Sequence, residues 1–138
     1  MVQENKYSIE KFHIDVLREY DIRGIVGDNI NDNTAYTIGR TFGYVVQNKL
    51  QSNKIITGYD GRLTSPDLHK ALCEGLKDAG AKVINIGMGP TPMTYFAHYH
   101  LNADAAIMVT GSHNPSEYNG FKMVLNKKSF FADEIQNL

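Results

Sequence analysis

The run Ala105-Ala106-Ile107-Met108-Val109 constrains this chain more than any other feature. Its residues are all apolar with no polar alternation, which suits a strand buried on both faces in the middle of a parallel sheet. Such a strand needs covering helices and crossover connections, and so points to an α/β fold. In open α/β sheets ligands gather outside the carboxyl ends of the strands. Here that end opens into Thr110-Gly111-Ser112-His113-Asn114-Pro115. The loop sets a hydroxyl, an imidazole and an amide side by side, and Gly111 admits backbone conformations that other residues resist. Such an arrangement suits a serine that handles phosphate. Taken alone, the same residues also read as an ordinary turn, because Gly-Ser and Asn-Pro are common turn signals.

The flanking sequence supplies the alternation an α/β fold requires. Phe12–Leu17 alternates loosely and could enter a first strand. Arg18–Gly24 and the following Ile25-Val26 predict a short strand interrupted by a loop. Asn33 or Thr34 can cap a helix running to about Leu50, with Ile38, Phe42, Val45 and Val46 as its apolar stripe. Gly39 and Gly43 would let that helix approach a sheet closely. Ile55–Asp60 predicts the next strand and Gly61–Thr64 its loop. Ser65-Pro66-Asp67 then starts a helix, with Ser65 as N-cap and Pro66 in the first position. Leu68, Leu72 and Leu76 form its buried face, and Gly80 suits a left-handed stop. A strand over Lys82–Gly87 leads to a short helix capped by Thr91. Phe121–Leu125 reads as a returning strand, and Ala132–Leu138 as a final helix. The expected architecture is a three-layer α/β/α sandwich around a mixed, mostly parallel, four-stranded core sheet. One domain is expected over residues 12–138, after a polar leader over residues 1–11.

A chain of 138 residues can bury one real core. Its 14 basic and 15 acidic side chains nearly cancel, so there is no overall basic field to hold nucleic acid. The single cysteine, Cys73, falls in a predicted helix and cannot form an internal disulfide. Buried packing in a reducing compartment is expected for it. Met1–Glu10 carries no signal-peptide core, and no apolar run is long enough to cross a bilayer. A cytoplasmic protein without a membrane partner is expected.

Several separated motifs carry a resemblance, in this order: Glu19-Tyr20-Asp21-Ile22-Arg23-Gly24, Gly58-Tyr59-Asp60-Gly61-Arg62, Gly89-Pro90-Thr91-Pro92, the serine loop, and Asn119-Gly120-Phe121-Lys122. Together they resemble the first domain of the α-D-phosphohexomutases, more narrowly the bacterial phosphomannomutase/phosphoglucomutase branch. The resemblance runs from about Phe12 to Leu138. It implies a mutase that moves phosphate between O1 and O6 of a hexose through a phosphoserine and a glucose or mannose 1,6-bisphosphate. Ser112 would carry the phosphate, Lys122 would act as general acid/base with His113 in support, and Arg23 would grip phosphate. Tyr20 and Asn114 would contact substrate. Asp60, Arg62 and Asn119 would lie near phosphate or brace the loop, and for Arg62 both roles stay open. The resemblance also implies Mg²⁺, with the Ser112 phosphate as one ligand. The family's other ligands sit in an Asp-x-Asp-x-Asp-Arg loop of a later domain, which nothing here matches. The partners implied are hexose phosphates and the remaining domains of a longer parent chain, and this chain alone is expected to turn over negligibly.

Other readings fit less well. Gly87-Met88-Gly89-Pro90-Thr91-Pro92 imitates half a dinucleotide fingerprint, but proline stands where the third glycine belongs and lacks the N–H that binds phosphate. Ser112 is not in the Gly-x-Ser-x-Gly of a nucleophile elbow. His98 and His100 are two apart and do not make a four-spaced metal pair. Tyr95, Phe96 and Tyr99 beside them read as packing with a polar rim. A phosphoglucosamine mutase domain, or a stand-alone sugar-phosphate-binding domain, would keep the same fold.

Overall fold

The computed structural model describes residues 4–138. Its elements are β1 (Ile22–Ile25), α1 (Asp32–Leu50), β2 (Lys54–Tyr59), α2 (Ser65–Asp78), β3 (Lys82–Met88), α3 (Thr91–His100), β4 (Ala105–Val109), β5 (Tyr118–Leu125), β6 (Lys128–Ser129) and α4 (Asp133–Gln136). They build one sheet in the order β1-β5-β4-β2-β3, with β6 on β5. Strand β2 pairs in parallel with β3 and β4, while β5 lies antiparallel between β4 and β1. Strand β1 therefore runs the same way as β4, and β5 is the one long strand reversed. A core of four strands was expected; β1 and the two-residue β6 extend it to six. The addition of β1 depends on pairing Ile22 with Phe121, a contact between distant segments that local pattern cannot reveal.

The helices divide between the two faces. Ile38, Phe42 and Val46 of α1 and Leu68, Leu72 and Leu76 of α2 pack with Ile55, Ile107, Val109, Phe121 and Met123. On the opposite face, Ala97 of α3 packs with Ile56, Ala106 and Val124. All five residues of β4 are buried, because alternate side chains serve both layers.

Several local expectations need correcting. Gly39 does not face the sheet: a Cβ there would lie 2.3 Å from the Leu72 carbonyl oxygen of α2. Helix α1 begins two or three residues earlier than expected, capped by Asn31 in a reciprocal capping box with Thr34. Thr64, not Ser65, is the N-cap of α2, and Pro90, not Thr91, precedes α3. Gly80 does take the left-handed conformation after α2, with φ of 91°. Phe12–Leu17 forms no strand. Ile14–Val16 is a single 3-10 turn, begun where the His13 side chain accepts the Asp15 amide, and Leu17 makes one bridge to Ile22.

Residues 1–3 of the leader lie outside the described residues. The rest of it lies along α1 and α2. Tyr7 is buried and stacks on Tyr36 with ring centroids 5.6 Å apart. Asn5 donates to the Tyr36 hydroxyl at 2.6 Å and to Asp78 at 3.0 Å. In α3 the aromatic residues point outward: Tyr95, Phe96 and Tyr99 are exposed, and Thr94, Ala97 and His98 face the sheet. Gly58 sits under Thr94, where an added Cβ would lie 2.9 Å from the Thr94 methyl. Among the described residues, no helix is long and apolar enough to cross a membrane.

Candidate active site

The carboxyl ends of β2, β3 and β4 lie side by side, so the loops after them share one edge of the sheet. After β4, the loop turns sharply at Ser112, which has φ of 54°. That left-handed conformation costs a residue with a Cβ roughly 1–2 kcal/mol. Surrounding bonds hold it. The Ser112 amide donates to the Thr110 hydroxyl at 3.0 Å, and the Asn114 amide to the Gly111 carbonyl at 3.1 Å.

Arg62, from the loop after β2, runs beneath the serine loop. One of its terminal nitrogens donates to the carbonyls of Pro115 (2.6 Å) and Tyr118 (3.1 Å), and the other to those of Ser112 (3.2 Å) and Asn114 (2.5 Å). The guanidinium occupies the space a side chain at Gly111 would need, since a Cβ there would fall 2.1 Å from Arg62 Nε. These four bonds brace the serine loop.

Asp60 ties the two loops together. It accepts from the Gly111 amide at 3.0 Å, the Arg62 amide at 3.1 Å and the Ser65 hydroxyl at 2.5 Å. Burial pushes its carboxyl up, but the hydrogen bonds from Ser65, the Arg62 and Gly111 amides and Thr110 outweigh it and leave the group below the usual aspartate range. Asn119, fully buried at the start of β5, donates to Ser65 Oγ and Thr64 Oγ1, both at 2.9 Å. Ser65 and Thr64 were not among the expected site residues. Ser65 was read only as part of the Ser65-Pro66-Asp67 helix start, and Thr64 only as the end of the loop before it.

Arg23 sits on β1 opposite Gly120 and reaches over the loop to Asn114, while its other terminal nitrogen pairs with Asp21. Its Nε is buried without a partner. Lys122 is half-buried opposite Met108 of β4. Phe121 and Met123 turn into the α1–α2 core, so by strand alternation Lys122 and Arg23 project from the other face, as Thr110 does. His113 is exposed on the loop. Ser112, His113, Asn114, Arg23, Asp60, Arg62 and Asn119 are thus one cluster, with Lys122 along the strand from it. Tyr20 is not part of it. It lies away from the loop along the β1 direction, 71% exposed, with its ring stacked on Phe131.

This arrangement coincides with a known domain. The sequence profile described as "Phosphoglucomutase/phosphomannomutase, alpha/beta/alpha domain I" matches residues 15–138. The chain belongs to the phosphoglucomutase/phosphomannomutase family. It is 44% identical over 124 residues to a phosphoglucomutase of Neisseria gonorrhoeae, covering 90% of this chain and 27% of the relative. It is 44% identical over 125 residues to the phosphomannomutase/phosphoglucomutase of Pseudomonas aeruginosa, covering 89% and 26%. A phosphomannomutase of Klebsiella pneumoniae is 49% identical over 126 residues, covering 88% of this chain and 78% of that protein. A crystal structure of a family protein from Burkholderia thailandensis superposes with a TM-score of 0.85 at 40% identity, covering 91% of this chain and 29% of that one. The chain therefore spans only about a quarter of the length of the first two relatives, at 27% and 26%.

The resemblance implies a Mg²⁺ ion, and the described residues of this chain do not by themselves make a site for one. The carboxylates nearest the loop are committed, Asp60 to the Ser65 hydroxyl and the Arg62 and Gly111 amides, and Asp21 to Arg23. Among the described residues, no three His, Cys, Asp or Glu side chains converge.

Proposed function

We propose that this chain is the phosphoserine domain of a longer phosphohexomutase, with Ser112 as the phosphoryl carrier. The observation that carries this reading is the loop itself. Ser112 is held in a left-handed turn by backbone and Arg62 bonds, and its hydroxyl enters none of the hydrogen bonds among the described residues. Arg23 is already drawn over the loop by Asn114, which puts a planar cation with an unpartnered buried N–H beside it.

In the proposed cycle, the free hydroxyl of a hexose phosphate attacks the phosphorus of phospho-Ser112. A new O–P bond forms to the sugar as the serine O–P bond breaks. Lys122 accepts the proton of the attacking hydroxyl, and the charge left on the serine oxygen is neutralised by proton return. The 1,6-bisphosphate then turns over, and Ser112 attacks its other phosphorus to regenerate phosphoserine and the isomeric monophosphate. Positioning and charge neutralisation supply most of the acceleration in such transfers. His113 supports the proton movement from its exposed place on the loop. Arg62 and Asp60 act by holding the backbone.

The remaining metal ligands and the sugar-selecting surface would come from the rest of the parent chain, so the 138-residue chain alone should turn over negligibly. The test is incubation of this chain and of its parent with phosphorus-labelled glucose 1,6-bisphosphate, followed by phosphopeptide mapping and a glucose 1-phosphate and mannose 1-phosphate mutase assay. Label on Ser112 of the parent, and loss of at least about a thousandfold of its turnover in Ser112→Ala, is the expected result. An unlabelled Ser112 with turnover retained in Ser112→Ala would sink the proposal.

A further inference from the structure

The structure assigns to Ser65 a positioning role for the serine loop, as the hydroxyl that joins buried Asn119 to the Asp60 carboxylate. The importance of that loop rests on the function proposed above, but the geometry of the link does not.

Ser65 is the first residue of α2 and has no exposed surface. A helix-opening serine ordinarily turns its hydroxyl back on its own helix. This one does not: it stands one place inside the helix, after Thr64, and the N-terminus of α2 has no side-chain cap bond. Its single O–H instead donates to Asp60 Oδ1 at 2.5 Å, and its oxygen accepts from Asn119 Nδ2 at 2.9 Å. The orientation of the Asn119 amide is set by its other end, where Oδ1 accepts from the Gly120 N–H at 2.9 Å. The bonds therefore all run one way, from Asn119 through Ser65 to the carboxylate. The far oxygen of that carboxylate holds the Gly111 N–H at 3.0 Å, one residue before Ser112. Bonds aligned in series toward a charge strengthen one another, and the last of them is charge-assisted. The link joins three separate segments of chain: the start of β5, the stretch from Asp60 to Ser65 that leads into α2, and the loop after β4.

Removing the hydroxyl should not break the fold. Asn119 would keep its bond to Thr64 Oγ1, and Asp60 would keep the Arg62 and Gly111 amides, so no buried group loses its last partner. What Ser65→Ala removes is the shorter of the two bonds that hold Asp60 Oδ1 and so aim Oδ2 at Gly111.

The experiment follows two NMR signals in the 138-residue chain: hydrogen exchange of the Gly111 amide and pH titration of the Asp60 carboxyl carbon. Ser65→Ala should speed Gly111 exchange about tenfold, as expected for one lost hydrogen bond, while exchange in the middle of α1 stays unchanged. It should also move the Asp60 midpoint upward, because the Ser65 bond is one of those holding it low. In an Asp60→Asn background, Ser65→Ala should produce no further change at Gly111, since Ser65 acts through that carboxylate. Exchange at Gly111 that stays within about twofold, or that rises in step with every amide of the core, would overturn the assignment. If Ser65→Ala fails to fold, Ser65→Cys, whose larger thiol is a weaker donor, must speed Gly111 exchange and raise the Asp60 midpoint relative to the wild type. In the parent enzyme, Ser65→Ala should slow Ser112 phosphorylation by glucose 1,6-bisphosphate about tenfold. A wild-type parent whose Ser112 takes no phosphate would defeat the mutase reading, while the Gly111 and Asp60 signals would still decide the role of Ser65.

Discussion

At Gly111 the absence of a side chain matters because of space. The residue with the left-handed backbone is its neighbour Ser112, at φ of 54°, and the space above Gly111 is filled by Arg62, 2.1 Å from where a Cβ would stand. Gly111→Ala must push the guanidinium aside and so loosen its bonds to the carbonyls of Ser112, Asn114, Pro115 and Tyr118. Arg62→Lys should do similar damage, since an ammonium cannot span those oxygens as a planar fork does. Each change should lower stability by on the order of 2 kcal/mol in urea unfolding and speed amide exchange over residues 112–118. Unchanged stability in both variants would mean that the brace contributes nothing. The sequence could present Gly111 and Arg62 as notable residues. It could not show that each explains the other, because 49 positions of chain separate them and only the parallel pairing of β2 with β4 brings them together.

Between elements, the closest approach is that of α1 to α2. Gly39 faces the Leu72 carbonyl, and Gly75 faces the Tyr36 carbonyl, where an added Cβ would stand 2.1 Å away. Alanine at either site would gain about 1 kcal/mol of intrinsic helix preference. The backbone oxygen cannot move aside as a flexible side chain would, so the helices must part and their shared Leu72 and Leu76 packing opens. Gly75→Ala and Gly39→Ala should each be destabilising by about 1–3 kcal/mol net, read as a lower thermal midpoint. A raised midpoint would show that the helices separate freely. Glycine spacing on α1 announced close packing correctly, but the partner is a helix and not the sheet. The aromatic residues of α3 taught the reverse lesson. Tyr95, Phe96 and Tyr99 read as a packed face, yet the residues that meet the sheet are Thr94, Ala97 and His98, with Thr94 seated over Gly58, where an added Cβ would lie 2.9 Å from the Thr94 methyl.

The molecule as a whole carries its acid sensitivity in buried polar groups. His69 of α2 lies under the sheet between Thr57, whose hydroxyl is 3.0 Å from its Nε2, and the Tyr59 ring at 4.7 Å. Burial pushes its pKa down from the ordinary 6.5 to about 4. The folded protein thus refuses a proton that the unfolded chain accepts. Its contribution is complete above pH 6.5 and is lost as pH falls toward 4, by at most about 3 kcal/mol. The depressed Asp60 carboxyl acts in the same direction lower down, since its share is lost as pH falls through its folded value. Urea midpoints should therefore drop between pH 7 and pH 4.5, and His69→Gln should flatten that slope. An equal slope in His69→Gln would place the acid lability elsewhere.

The sequence by itself determined the local and periodic properties of this protein. The apolar run Ala105–Val109, the stripes of α1 and α2, the left-handed stop at Gly80 and the loop with Ser112 are each set by residues within a few positions of one another. That is the range over which dihedral preference and burial of one face operate. The tertiary structure decided what depends on distant segments meeting. It added β1 to the sheet through Phe121, laid residues 4–11 along α1, turned Gly39 toward α2, made Arg62 a brace and took the Ser65 hydroxyl away from its own helix. Each of these rests on a hydrogen bond or a steric contact between distant positions, for Ser65 the bond from Asn119, and that partner exists only once the sheet has closed.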